Sequence, residues 1–125
     1  MKKIISTPNA PKAIATYSQA VEAGGMLFVA GQIAIDPSSG KLVEGGIEEQ
    51  TLQVMKNIGA ILEAAGYSYK DVVKTVCLLS DMANYSTVNS IYGTYFPLEP
   101  PARAAYSVSG LPMGSLIEIE TIACH

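Results

Sequence analysis

The stretch Val72-Val73-Lys74-Thr75-Val76-Cys77-Leu78-Leu79-Ser80 reads as a β-strand that is apolar on both sides. Its six apolar side chains cannot all face the two helices that the rest of the chain supplies. If those helices cover one face of the sheet, the other face needs a partner, and a second copy of the protein is the economical choice.

Working outward, Ile47 to Ala65 carries the clearest helical pattern. Ile47, Thr51, Val54, Met55, Ile58, Ile61, Leu62 and Ala65 recur at three- and four-residue spacing, with Glu48, Glu49, Gln53, Lys56 and Glu63 between them. Gly45-Gly46 leads in, and Gly66 ends the helix. A shorter helix is predicted from Ala83 to Tyr95, with Tyr85, Val88, Tyr92, Tyr95 and Phe96 on one side and Pro97 as its stop.

Five further segments read as extended: Lys3–Ser6, Ser18–Ala23, Met26–Ile35, Arg103–Val108 and Leu116–Cys124. Ala23-Gly24-Gly25-Met26 makes a hairpin turn, Asp36-Pro37-Ser38-Ser39-Gly40 a loop, and Gly31-Gln32 a strand interruption typical of a bulge. This order predicts an α+β fold in which two helices lie on one face of a mixed sheet. The 125 residues suit a single domain, 1–125.

Hydrophobic residues make up 49% of the chain against 15% charged, more apolar than an average soluble domain, yet no run is long enough to span a bilayer. The surplus again points to an oligomer interface. A net charge of −3 and scattered basic residues, with Lys2-Lys3 the only adjacent pair, argue against a nucleic-acid surface. No apolar segment follows that lysine pair, so membrane targeting is not expected. Cys77 and Cys124 read as buried free thiols of a cytoplasmic protein. The only histidine is His125, which leaves little basis for a metal site or a histidine-dependent triad; no metal or cofactor is expected.

Chemistry concentrates in the last quarter. Pro100-Pro101 stiffens the approach to Arg103, whose neighbours Ala102, Ala104 and Ala105 leave room beside the guanidinium. Arginine grips a planar carboxylate with two parallel hydrogen bonds, although an ordinary salt bridge at a strand end explains it equally well. Glu118 and Glu120 share a strand face among isoleucines, where paired carboxylates can raise one pKa; a solvated edge is the alternative. A shared site for Arg103 and Glu118 requires a hairpin pairing that sets Ala105 opposite Glu118, and a one-residue slip would reverse it. Tyr17 offers a phenol at the start of Ser18–Ala23, usable as a hydrogen-bond donor or simply as packing.

Tyr17-Ser18-Gln19-Ala20, Gly31-Gln32-Ile33, Pro100-Pro101-Ala102-Arg103-Ala104-Ala105, and Leu111-Pro112-Met113-Gly114 leading to Ile117-Glu118-Ile119-Glu120 together resemble the RidA/YjgF family of reactive-intermediate deaminases. The likeness runs from about Ile4 to Ala123. It implies a chorismate-mutase-like fold, a homotrimer whose three sheets form a central barrel, and a ligand cleft at each subunit interface. The implied activity is hydrolysis of enamine and imine intermediates, such as 2-aminoacrylate, to a 2-oxo acid and ammonia. By motif position Arg103 would bind the substrate carboxylate, Glu118 would help position or activate water, and Tyr17 would line the pocket. Gly31 and Asn89 would form its walls, with the backbone of Ala105 beside the ligand. Some members carry Cys at the position of Ala105 and Ser at that of Ala30, so the resemblance does not lead to a cysteine nucleophile here. Two rival functions are a non-enzymatic sensor of 2-oxo acids and a ribonuclease, the second disfavoured by the acidic charge and the lack of an internal histidine.

Overall fold

The computed structural model describes residues 1–125. Eight strands and two α-helices follow one another: β1 (Lys3–Ile5), β2 (Ala20–Ala23), β3 (Met26–Gln32), β4 (Ile35–Asp36), β5 (Lys41–Leu42), α1 (Ile47–Ala64), β6 (Val72–Leu79), α2 (Tyr85–Tyr95), β7 (Ala102–Ser107) and β8 (Ile117–Cys124). Six strands form one sheet in the order β1-β2-β3-β8-β6-β7, while β4 and β5 make a separate short ladder. Only β6 and β7 run parallel, joined by the α2 crossover; every other pair is antiparallel. The architecture is thus the expected α+β arrangement of helices on a mixed sheet.

Helix α1 forms where the 3.6-residue pattern placed it. Its buried stripe is Thr51, Val54, Met55, Ile58, Ile61 and Leu62. At its start the Glu49 carboxylate accepts a 2.8 Å hydrogen bond from the Gly46 N–H, satisfying a backbone donor outside the first turn. At its end Gly66 adopts φ 81°, and the Tyr67 N–H reaches back to the Leu62 carbonyl at 2.9 Å, closing the helix through a left-handed residue. Helix α2 begins at Tyr85 rather than Ala83, because Met82–Asn84 forms a tighter 3₁₀ turn whose Ala83 N–H is capped by Asp81 at 2.9 Å. The Gly24-Gly25 pair makes a two-residue hairpin, both glycines at positive φ, as a turn matched to strand twist requires.

The sheet has one covered and one open face. Under the helices lie Leu27, Val29, Cys77, Leu79, Ile117, Ile119 and Ala123, all at most 5% exposed. The opposite face carries Ile4, Val21, Phe28 and Ile122 in register across four strands, with Ile4 52% and Phe28 45% exposed. An apolar row of this kind, left uncovered by the chain itself, matches the expectation drawn from Val72–Ser80. No helix is long and apolar enough to cross a membrane.

Three sequence expectations need correction. Strand β2 starts at Ala20, so Tyr17 and Ser18 belong to the preceding loop, where the Tyr17 N–H bonds the Ala15 carbonyl. Cys124 is exposed, since it alternates with buried Ala123 and falls on the open face. Most consequentially, β7 and β8 form no hairpin: β6 lies between them, pairing with both.

Candidate active site

The register through β6 fixes where the candidate residues point. Thr75 faces Arg103 on one side and Thr121 on the other, while Cys77 stands between Ala105 and Ile119. Directly paired residues share a sheet face, so Arg103 and Ala105 project with buried Thr75, Cys77, Ile119 and Thr121 toward the helices. Leu78 faces Glu118 and Tyr106, and Val76 faces Glu120, so both carboxylates project from the open face. Arg103 and Glu118 therefore lie on opposite faces of the sheet within one chain. The hairpin pairing of Ala105 with Glu118 that a shared site required does not occur.

On the open face, a cavity of about 300 Å³ is lined by Tyr17, Gly31, Gln32, Ile33, Met113 and Glu118. The β3–β8 register shifts between Val29 and Gln32, and this bulge brings Gly31 against the Glu118 side chain. A Cβ at position 31 would lie 2.9 Å from the Glu118 carboxyl carbon and closer still to Oε2. Glycine is needed here for space, not for an unusual φ. Burial raises the Glu118 pKa above its ordinary value, and the charge of Glu120 two residues along the same face raises it further. Such a carboxylate takes up a proton nearer neutrality than a solvated one.

Tyr17 reaches this cavity from a loop anchored by Gln19, which is 4% exposed. The Gln19 Oε1 accepts from the Thr7 N–H at 2.7 Å, and its Nε2 donates to the Thr7 carbonyl at 3.0 Å and the Pro11 carbonyl at 2.8 Å. One buried amide thus satisfies the backbone of an irregular segment and sets the path of Pro11–Tyr17 past the cavity. Across the cavity Met113 holds φ 58°, a left-handed conformation costly for a side chain with a Cβ. That local strain sits at the wall of the site.

On the helix face Arg103 is held by α2. Nη1 donates to Asn89 Oδ1 at 2.7 Å and Nη2 to the Tyr85 hydroxyl at 2.8 Å. The guanidinium carbon sits 4.9 Å from the Tyr92 ring centroid and 5.5 Å from that of Tyr85. Tyr92 is fixed in turn by a 2.6 Å hydrogen bond between its hydroxyl and Thr75 Oγ1. Both hydrogen-bond partners of Arg103 are neutral. This is not the strand-end salt bridge that the sequence left open, but a cation held by neutral acceptors and aromatic faces at the sheet edge. Cys77 lies directly beside Ala105, and burial pushes its thiol up to about 11 against the opposing pull of Arg103, so it is no thiolate nucleophile near neutrality.

The structure therefore brings Tyr17, Gly31 and Glu118 together on one face, sets Arg103 and Asn89 together on the other with Ala105 beside them, and separates the two groups. Sequence reasoning missed Tyr85 and Tyr92 as partners of Arg103. Their spacing with Asn89 along one side of α2 was a usable signal, since residues three and four apart share a helix face. It was absorbed into the apolar pattern.

Known proteins resemble this chain in both sequence and fold. A family model described as endoribonuclease L-PSP matches residues 7–125. A mouse protein named 2-iminobutanoate/2-iminopropanoate deaminase is 54% identical over 123 residues, which are 98% of this chain and 91% of that protein. A RutC family protein of Pyrococcus horikoshii is 55% identical over 123 residues, 98% of each chain. Among solved structures, a conserved Rid family protein from Yersinia pestis superposes with a TM-score of 0.98 at 48% identity, covering 100% of both chains. Matched over nearly its whole length in sequence and in fold, this chain belongs to the RidA/YjgF family.

Proposed function

We propose that this protein hydrolyses short-lived enamines and imines of 2-amino acids, such as 2-aminoacrylate and its imine tautomer, to 2-oxo acids and ammonia. The names of its mouse and other mammalian relatives, 2-iminobutanoate/2-iminopropanoate deaminases, support that activity. The observation that carries the site assignment is the division of the candidate residues into two half-sites on opposite faces. Each half-site holds one part of the machinery: the open face has a carboxylate whose pKa burial raises, in a cavity that Lys12 also lines, and the helix face has a guanidinium whose two hydrogen-bond partners are neutral.

The active form in this proposal is a homotrimer of 125-residue single-domain subunits. The open apolar face of each subunit is covered by a neighbour, and Arg103 of one copy meets Glu118 of the next. Arg103 binds the substrate carboxylate with two hydrogen bonds, which supplies orientation. The protonated imine is already electrophilic at its α-carbon. Glu118 takes a proton from water as the oxygen attacks that carbon, then returns it to the nitrogen as the C–N bond breaks. Glu118, again a carboxylate, takes the remaining hydroxyl proton as the carbonyl of the 2-oxo acid forms, and that proton leaves with the ammonia as ammonium. Proton transfer of this kind contributes about 10²–10⁴-fold. Tyr17, Gly31 and Asn89 shape the cleft, and the backbone of Ala105 borders the ligand. The reaction suits a cytoplasmic protein acting where such imines are released.

A ribonuclease reading, prompted by the description of the family model, is not adopted. With a net charge of −3 and only one adjacent basic pair, the chain offers no stripe for phosphates. The test is a coupled assay in which a serine or threonine dehydratase generates the imine and 2-oxo acid release is followed. A faster release with this protein, lost on Arg103→Ala and on Glu118→Gln, is expected. Equal rates with and without the protein refute the activity and leave the 2-oxo acid sensor, and full turnover by Glu118→Gln removes the proton-transfer role from that residue.

A further inference from the structure

Arg103 has five N–H donors in a rigid plane, and a carboxylate needs two of them side by side. Whether such a pair faces outward depends on how the plane is turned about the end of a flexible side chain. In this chain three contacts set that angle. Asn89 takes one hydrogen from Nη1, the Tyr85 hydroxyl takes one from Nη2, and the Tyr92 ring, pinned by Thr75, supplies a surface for the plane. The two hydrogen bonds act on the two terminal nitrogens, so together they fix both the tilt and the rotation of the guanidinium. Removing either leaves the plane free to turn about the other.

We propose that Tyr85 is a positioning residue for carboxylate binding: its hydroxyl, bonded to Nη2, orients the Arg103 guanidinium so that its remaining N–H groups meet a carboxylate. This rests on the reading of Arg103 as the carboxylate anchor. Being neutral, the Tyr85 hydroxyl orients the cation without cancelling the charge that attracts the ligand; an aspartate or glutamate there would do both. The contact also lies outside the proton-transfer half-site. Tyr85 projects from α2 on the helix face, whereas Glu118 sits with Gly31 on the open face. Its effect therefore falls on binding of the carboxylate in ground and transition states alike, raising KM and leaving kcat in place.

Tyr85→Phe isolates the hydroxyl, because the ring that contacts Arg103 is retained. The experiment measures 2-oxobutanoate binding by calorimetry, and deamination in the coupled dehydratase assay, for the wild-type, Tyr85→Phe, Arg103→Lys and doubly substituted proteins. The expected result is binding weakened about tenfold by Tyr85→Phe, the size of one lost charge-assisted hydrogen bond, with KM raised in step and kcat within twofold. In the Arg103→Lys background the same substitution is expected to change binding less than twofold, since the group it orients is gone. Unchanged binding by Tyr85→Phe overturns the inference. So does an equal loss in both backgrounds, which is what general destabilisation of α2 would produce even if the variant folds poorly. A wild-type protein that binds 2-oxobutanoate without deaminating imines overturns the deaminase reading alone; one that neither binds a 2-oxo acid nor deaminates imines overturns both.

Discussion

If Arg103 and Glu118 work together only across a subunit boundary, two inactive variants should repair each other. Arg103→Ala keeps Glu118 and its Gly31 cavity intact; Glu118→Gln keeps Arg103 with Asn89 and Tyr85 intact. When the variants are co-expressed and assemble at random, a site is whole when its arginine comes from the Glu118→Gln chain and its glutamate from the Arg103→Ala chain. Each condition is met half the time at equal expression, so activity per chain should reach about a quarter of wild type, whatever the number of subunits in the closed ring. At other ratios activity should follow the product of the two fractions and fall to the background of the single variants at either end. The coupled dehydratase assay is run on this unselected population; tagging the two chains differently and purifying through both tags then selects mixed assemblies, in which a trimer holds one whole site of three and activity per chain should rise to about a third of wild type at any ratio. The doubly substituted chain mixed with wild type gives the control: a site formed between chains makes activity fall as the square of the wild-type fraction, a site within one chain linearly. Verified mixed assemblies that stay at background, or a linear control, would refute the shared site.

Three further outcomes follow from the same geometry. Gly31→Ala should leave thermal stability within a few degrees of wild type, because the backbone angle is ordinary and the group displaced is the end of a flexible side chain; pushing the Glu118 carboxylate aside by on the order of 1 Å should nonetheless lower kcat about 10²-fold. Glu120→Gln removes a negative charge that makes Glu118 harder to deprotonate, so the Glu118 pKa falls, and the acid limb of kcat/KM should move to lower pH with the alkaline limb unmoved. Phe28→Glu puts a charge in the middle of the open apolar row, so sedimentation should report smaller species and activity should be lost with the assembly while far-UV circular dichroism stays native.

What the sequence made legible is what depends on neighbours along the chain. The i, i+3, i+4 pattern of α1, the Gly24-Gly25 turn and the bulge at Gly31-Gln32 are local, and each stands where it was read. The surplus of apolar residues on Val72–Leu79 correctly signalled an uncovered face, because composition must be disposed of somewhere. Ser18 and Gln19 read as the start of a strand, but the segment is tied down by the Gln19 side chain reaching backbone groups 8 and 12 residues away, which no local pattern reveals. The pairing of β7 failed for a related reason. Consecutive strands are usually neighbours, so a hairpin with β8 was the natural expectation. Here the α2 crossover lays β7 parallel to β6 first, and β6 then offers its other edge to β8.

That inserted strand decides what the last quarter of the chain means. Had β7 and β8 paired directly with Ala105 opposite Glu118, Arg103 and Glu118 would have shared a face, and a lone subunit could have carried the whole site. With β6 between them, Ala105 aligns through Cys77 with Ile119, one residue beyond Glu118, and that single step puts the carboxylate on the other side. No rotamer crosses a sheet, so the two groups can act on one substrate only if a second copy brings its own. The face that carries Glu118 is also the face left apolar from Ile4 to Ile122. In the proposed trimer, covering that face and completing the site are therefore coupled: the burial that would favour assembly would also set where the neighbouring arginine arrives.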